Sequence, residues 1–268
     1  MMGKIKEILA LPNDSKQKTL FVAVALCLVC SILVSGAAVV LKPLQDANKA
    51  FDKKKNILQI AGLMEEGKSV DELFKQIEPR VIDMATGEYV EGIDPVTYDQ
   101  RKAANDPKQN IVLTAEQDIA GIKRRAKYTS VYLVKNGDQV KSIILPIHGY
   151  GLWSTLYGFL ALEPDARTVV GLGFYAHAET PGLGGEVDNP QWRGKWVGKQ
   201  VYGPDNDVII RVIKGAVGPD TPDAYAKVDG LSGATLTARG VENMLHYWLS
   251  EQGFSKYLSN IRSKGGQS

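Results

Sequence analysis

From Leu20 to Leu41 the chain runs 22 residues without a charge. As a helix rising 1.5 Å per residue, such a run spans roughly 33 Å, enough for the ~30 Å hydrocarbon core of a bilayer. This predicts a short tail over 1–19, a single transmembrane helix over 20–41 and one domain over 42–268. Ser35-Gly-Ala-Ala38 would be tolerable as a signal-peptidase site. A signal-peptide apolar region is usually shorter than this run, however, so a retained anchor is the better reading. Lysines flank the helix on both sides (Lys4, Lys6, Lys16 and Lys18 before it; Lys42, Lys49 and Lys53 to Lys55 after it), so charge alone does not orient it. A short tail followed by a long domain is commonest with the tail inside, which places the domain outside the cytoplasm.

Composition narrows the chemistry. The formal net charge is +2, and the first twenty residues account for all of it. A neutral globular part lacks the electrostatic footprint of non-specific nucleic-acid binding, so no nucleic-acid partner is expected. Both cysteines, Cys27 and Cys30, fall inside the apolar run. The globular part therefore offers no internal disulfide, no cysteine-ligated metal and no iron–sulfur site. Cys-x-x-Cys inside a bilayer is two small residues on one helix face rather than a redox motif.

Periodicity predicts an α+β domain. Residues 48–77 read as helix broken near Gly67, with Ile57, Ile60, Ala61 and Met64 on one stripe and Val70, Leu73, Phe74 and Ile77 on another. Pro79 is expected to end the second helix. Arg80–Val90 reads as a short hairpin around Thr86-Gly87, and 91–125 as loop with a short helix near Gln117–Lys127. Tyr128–Lys135 and Gln139–Ile147 flank Asn136-Gly137-Asp138, a strong hairpin signature. Leu156–Leu162 and Thr168–Tyr175 repeat the arrangement, and Asp207–Ile213 reads as a further strand. Asn189–Gln200 reads as a short helix with Pro190 in its first turn. The last helix is predicted from about Ala234 to Gln252, with Val241, Met244, Leu245 and Trp248 facing the core and His246 on the surface. His148 and His177 stand alone, without a cluster at ligand spacing; a structural role is expected for both, and no metal site.

Two glycine-rich segments resist a purely structural account. His177-Ala-Glu-Thr-Pro-Gly-Leu-Gly-Gly185 follows a strand, and Asp229-Gly-Leu-Ser-Gly-Ala-Thr-Leu-Thr237 opens the last helix. Small residues let a backbone approach a bulky ligand. The free N–H groups and dipole of a helix start favour a phosphate, with Ser232 as the expected N-cap. By itself Ser232-Gly-Ala-Thr235 also suits an ordinary helix start. The Gly182-x-Gly184-Gly185 loop matches neither a Walker A loop nor a dinucleotide fingerprint.

Asp229-x-x-Ser232-Gly233-Ala234-Thr235 resembles the motif D-x-x-[S/T]-G-A-T that bacterial flavin transferases recognise when they move FMN from FAD onto the final threonine. The Glu179-Thr-Pro-Gly-Leu-Gly184 loop resembles the companion segment of the same FMN-binding domain. With the anchor and the length, the chain resembles the C subunits of sodium-translocating NADH:quinone oxidoreductases.

The resemblance implies FMN attached as a phosphoester to Thr235, with Thr237 as the alternative acceptor, which would make the chain a flavoprotein and a phosphoprotein. Asp229 and Ser232 would serve recognition by the transferase. Glu179, Thr180, Leu183 and Gly184 would lie against the flavin, and Trp153 could stack nearby, although a core or interface aromatic is its plainer reading. The implied role is an electron relay with no catalytic residue of its own, sitting in the bacterial inner membrane with its domain on the periplasmic side. It would work among the other members of a complex that oxidises NADH, reduces ubiquinone and exports sodium. The NADH site would lie elsewhere in that complex. The G subunit of the Rnf electron-transfer complex shares motif and anchor, but is typically shorter. A cofactor-free, membrane-anchored assembly module and non-covalent FMN are the remaining alternatives.

Overall fold

The computed structural model describes residues 3, 7, 9–137 and 139–265. The chain divides into two compact units, Met1–Phe51 and Asp52–Ser268. Helix α1, Lys16–Ile60, contains the uncharged run and continues well beyond it. Its apolar side chains in the first unit are exposed on every side, Leu26 at 62%, Ile32 at 71% and Val40 at 75%. In water that surface would be a large unfavourable patch; in lipid it has its solvent. By length and composition α1 is a membrane anchor.

The break in the helical segment falls earlier than predicted. α1 ends at Ile60, and Gly62 N–H and Leu63 N–H turn back onto Gln59 O and Leu58 O at 3.2 and 2.9 Å. These are the paired bonds of a left-handed C-terminal cap, with Gly62 at φ 68°. Met64 consequently lies outside the helix and is 42% exposed, not part of an apolar stripe. The second helix is only α2, Val70–Leu73, capped by the Ser69 hydroxyl on Glu72 N–H. Pro79 does not end it but sits inside strand β1, Ile77–Asp83. β1 lies at the edge of its sheet, where a residue without an N–H leaves no ladder bond unmade.

That sheet is the frame of the domain. β1 pairs with β4 (Tyr128–Asn136), β4 with β5 (Gln139–Tyr150), β5 with β6 (Thr155–Leu162) and β6 with β7 (Val169–Ala176), all antiparallel. The predicted hairpins close two of these pairs. Gly137 at φ 61° starts the β4–β5 turn, whose other residue, Asp138, lies outside the described residues. In the β6–β7 turn the Asp165 carboxylate accepts from Arg167 N–H, Thr168 N–H and the Thr168 hydroxyl.

Side chains alternate between two cores. Val131, Leu133, Ile143, Leu145, Leu160 and Phe174 belong to one, Tyr132, Val134, Ile144, Phe159 and Ala161 to the other. Ile57, Leu58, Ile60 and Leu73 cover the second face, and helix α5 (Thr235–Leu249) covers the first through Val241, Met244, Leu245 and Trp248. A sheet covered on both faces explains strands that read as continuous apolar runs.

Elsewhere the polar segments fold differently from prediction. No helix forms at 117–127. Instead α3 occupies Gln100–Asn105 under an Asp99 cap, and β2 (Asn110–Val112) pairs with β3 (Arg124–Ala126). Asp118 accepts from Ile122 N–H and Lys123 N–H, which fixes this stretch as turns. The 189–200 helix is the short α4, Pro190–Gly194, capped by Asn189. The 207–213 strand shrinks to β8, Arg211–Val212, parallel to β9, Lys227–Val228. A further helix, α6 (Ser255–Gly265), follows α5 and brings Tyr257 and Leu258 into the first core. His246 is half-buried rather than on the surface, bonded to Ile210 O at 2.7 Å.

Candidate functional site

The two glycine-rich segments and the β5–β6 loop meet at one buried carboxylate. Glu179 Oε1 accepts from Trp153 N–H at 3.0 Å and Ser154 N–H at 3.1 Å, and the carboxylate takes Leu152 N–H at 3.2 Å. Its Oε2 accepts the Thr237 hydroxyl at 2.7 Å. Burial pushes this carboxyl's pKa up, but the bonds from Thr237 and the 152–154 amides outweigh it and hold it below the usual glutamate range. His177 sets the approach: Glu179 N–H donates to its Nδ1 at 3.2 Å, leaving Nε2 to donate to Asp188 at 2.7 Å.

Glycines let these parts touch. A Cβ at Gly184 would come within 2.6 Å of Thr237 Oγ1 and 2.8 Å of Glu179 Oε2. One at Gly240, on α5, would meet Tyr150 O at 2.4 Å. The first two turns of α5 are thereby held against the ends of the 179–184 loop and of β5.

The helix start differs from expectation in one respect. Ser232 does not cap it. Leu231 to Ala234 form a turn, with Ala234 N–H on Leu231 O at 3.1 Å and Gly233 at φ 71°, and the cap position falls to Ala234. Alanine has no acceptor to offer, so no side chain caps the free N–H groups of this turn. Thr235 is the first helical residue and is exposed; Thr237 is fully buried.

Thr235 opens onto a cleft of about 930 Å³. Asp229, Ser232 and Thr235 line it, joined by Lys214, Arg239 and Glu242, which no sequence motif marks. Asp229 is fixed by its surroundings: Lys195 pairs with its carboxylate, Val217 N–H donates to it at 3.0 Å, and Trp192 Nε1 donates to its carbonyl at 2.8 Å. Burial raises its pKa, and the Lys195 and Val217 bonds more than reverse that.

Of the remaining predicted residues, Leu183 is 44% exposed and borders Gly233, and Trp153 is 67% exposed, neither core nor covered by another described residue. Thr180 is exposed at the head of its loop, its carbonyl accepting from Leu183 and Gly185 N–H. Gly184 is buried behind Thr237. His148 has the expected structural role, stacked on Tyr157 and packed against Trp248, with burial pushing its pKa down to about 4. Among the described residues no cluster of His, Cys, Asp or Glu could hold a metal.

Residues 151–250, which contain all of these loops and the start of α5, match the family of FMN-binding domains. The C subunit of the Na(+)-translocating NADH-quinone reductase of Pseudomonas aeruginosa is 52% identical over 93% of this chain and 97% of its own length. The chain belongs to the C-subunit family of Na(+)-translocating NADH-quinone reductases. A second member, from Vibrio vulnificus, is 53% identical over 94% of the chain and 98% of its own length. The crystal structure of the NqrC protein of Shewanella oneidensis superposes with a TM-score of 0.75 at 32% identity, covering 81% of this chain and 99% of that one. The C subunit of the Parabacteroides distasonis reductase gives a TM-score of 0.60 at 26% identity over 82% of this chain and 97% of that one. Membership makes the chain one part of an oxidoreductase complex, and the matched domain makes it a flavoprotein. The residues present fit such a cofactor: an exposed hydroxyl at an uncapped helix start, beside a cleft of nucleotide size.

Proposed function

We propose that this chain carries FMN as a phosphoester on Thr235 and relays electrons within a membrane complex that oxidises NADH, reduces ubiquinone and exports sodium. The observation that carries the attachment site is the contrast within one helical turn. Thr235 is exposed and lines the cleft, whereas Thr237 is buried and its hydroxyl already donates to Glu179. Of the two threonines, a flavin transferase reaching the D-x-x-S-G-A-T segment from outside finds only Thr235 accessible. FMN, when bound, supplies the redox chemistry.

The chain's own residues hold and orient. The uncapped N–H groups at the start of α5 offer a phosphate its donors. Exposed Leu183 and Trp153 offer apolar area to a flat ring. Glu179 does not face the cleft; it fixes the loops that carry these residues. Asp229, tied to Lys195 and Val217, holds the motif in register. The short tail before a long domain supports a periplasmic position, where covalent attachment keeps the cofactor from diffusing away. The relatives' names support other members of the complex as partners, and the anchor supports contact with lipid.

In-gel fluorescence of the natively produced chain after SDS denaturation tests the attachment. The expected result is a fluorescent band at the mass of the chain. A dark band, with flavin in the acid supernatant, would mean non-covalent FMN; no flavin in either would defeat the carrier reading.

A further inference from the structure

The cleft beside Thr235 is lined by two acids and two cations, but only the acids are paired. Its two acids are both engaged. Asp229 pairs with Lys195, and Glu242 takes Arg211 at 3.2 Å and Val212 N–H at 2.8 Å. Its two cations are not: among the described residues neither Lys214 nor Arg239 forms an ion pair or a side-chain hydrogen bond, yet both line the same concavity. Arg239 lies four residues after Thr235 in α5, so the two share a helix face with Ala238 and Glu242. Lys214 comes from the separate segment that follows β8.

This placement works against the helix. Cations near a helix N-terminus oppose its dipole, and the first turn of α5 contains no acidic residue to offset them. A solvated surface would tolerate one such cation. Two, from different segments and lining one cleft beside the exposed Thr235, form a site suited to an anion from outside the chain. We infer that Lys214 and Arg239 are the phosphate-recognising residues of this cleft, holding the negative charge of the flavin nucleotide at Thr235. The inference rests on the FMN reading above but concerns binding, not the ester bond. No bond forms or breaks in it.

The test compares FMN with riboflavin, which lacks the phosphate. The full chain, produced without a flavin transferase and confirmed flavin-free by mass, is titrated in detergent micelles with each, following flavin fluorescence. The expected result is FMN binding about tenfold or more tighter than riboflavin, the order of charge-assisted contacts screened by water. Lys214→Gln with Arg239→Gln should bring that ratio to near one at low salt, leaving riboflavin affinity unchanged and the thermal unfolding midpoint no lower. A ratio unaltered by the two substitutions would overturn the inference, as would FMN binding no tighter than riboflavin, including no measurable binding of either. Whether Thr235 carries the ester is read separately, by mass on natively produced chain, so either statement can fail without the other.

Discussion

Thr237 Oγ1 donates to Glu179 Oε2 at 2.7 Å, joining the first turn of the closing helix to the loop that follows β7. The same carboxylate gathers the amides of Leu152, Trp153 and Ser154, so one buried acid sets three loops at once. The bond also divides two neighbouring threonines into one that holds the fold and one that faces solvent.

That division predicts opposite phenotypes. Thr235→Val should abolish covalent flavin while changing stability by less than about 0.5 kcal/mol, as for surface substitutions generally. Thr237→Val should keep covalent flavin yet cost about 1–2 kcal/mol, because a buried acceptor loses its partner. Denaturant unfolding of both variants, with in-gel fluorescence, checks the pair.

Gly184→Ala should damage the node without removing a polar group. Its new methyl would press on both Thr237 Oγ1 and Glu179 Oε2. Overpacking of this kind costs about 1–3 kcal/mol. A lower unfolding midpoint together with reduced flavin loading is expected; an unchanged midpoint would mean the loop relaxes freely.

Acid should weaken the domain in two windows. His148, with its pKa lowered to about 4 by burial and secondarily by Arg101, is neutral when folded. Its unfolded pKa is ~6.5, so the unfolded state takes up the proton first; the stability this group contributes is full above pH ~6.5 and is lost as pH falls toward 4. Glu179, also lowered, contributes stability above its unfolded pKa of ~4.3, lost as pH falls through its folded value. Chemical denaturation across the acid-to-neutral range should show stability rising with pH. Glu179→Gln should flatten the lower window only, and His148→Phe the upper.

Sequence pattern revealed what depends on neighbours along the chain. The β4–β5 and β6–β7 hairpins and the core face of α5 are period and turn chemistry, and each lies where its residues place it; the apolar run likewise lies within a helix, though a longer one. Tertiary context governed the failures. Pro79 suits a strand only because β1 is an edge, and in the strand-like run Val208–Ile210 only Val208 forms an isolated bridge, to Tyr202. Ser232 looks like a cap, but Gly233 spends it on a turn. The motif residues were legible. The inward aim of Glu179 was not, nor were the unmatched Lys214 and Arg239, because each is defined by what residues distant in sequence do or do not offer it.

The anchored, natively produced chain gives the most direct measurement. Trypsin should release residues 228–239, bounded by Lys227 and Arg239 and containing both threonines. Mass spectrometry of that peptide with fragment-ion localisation should find one FMN, on Thr235. An unmodified peptide, or FMN on Thr237, would contradict the account.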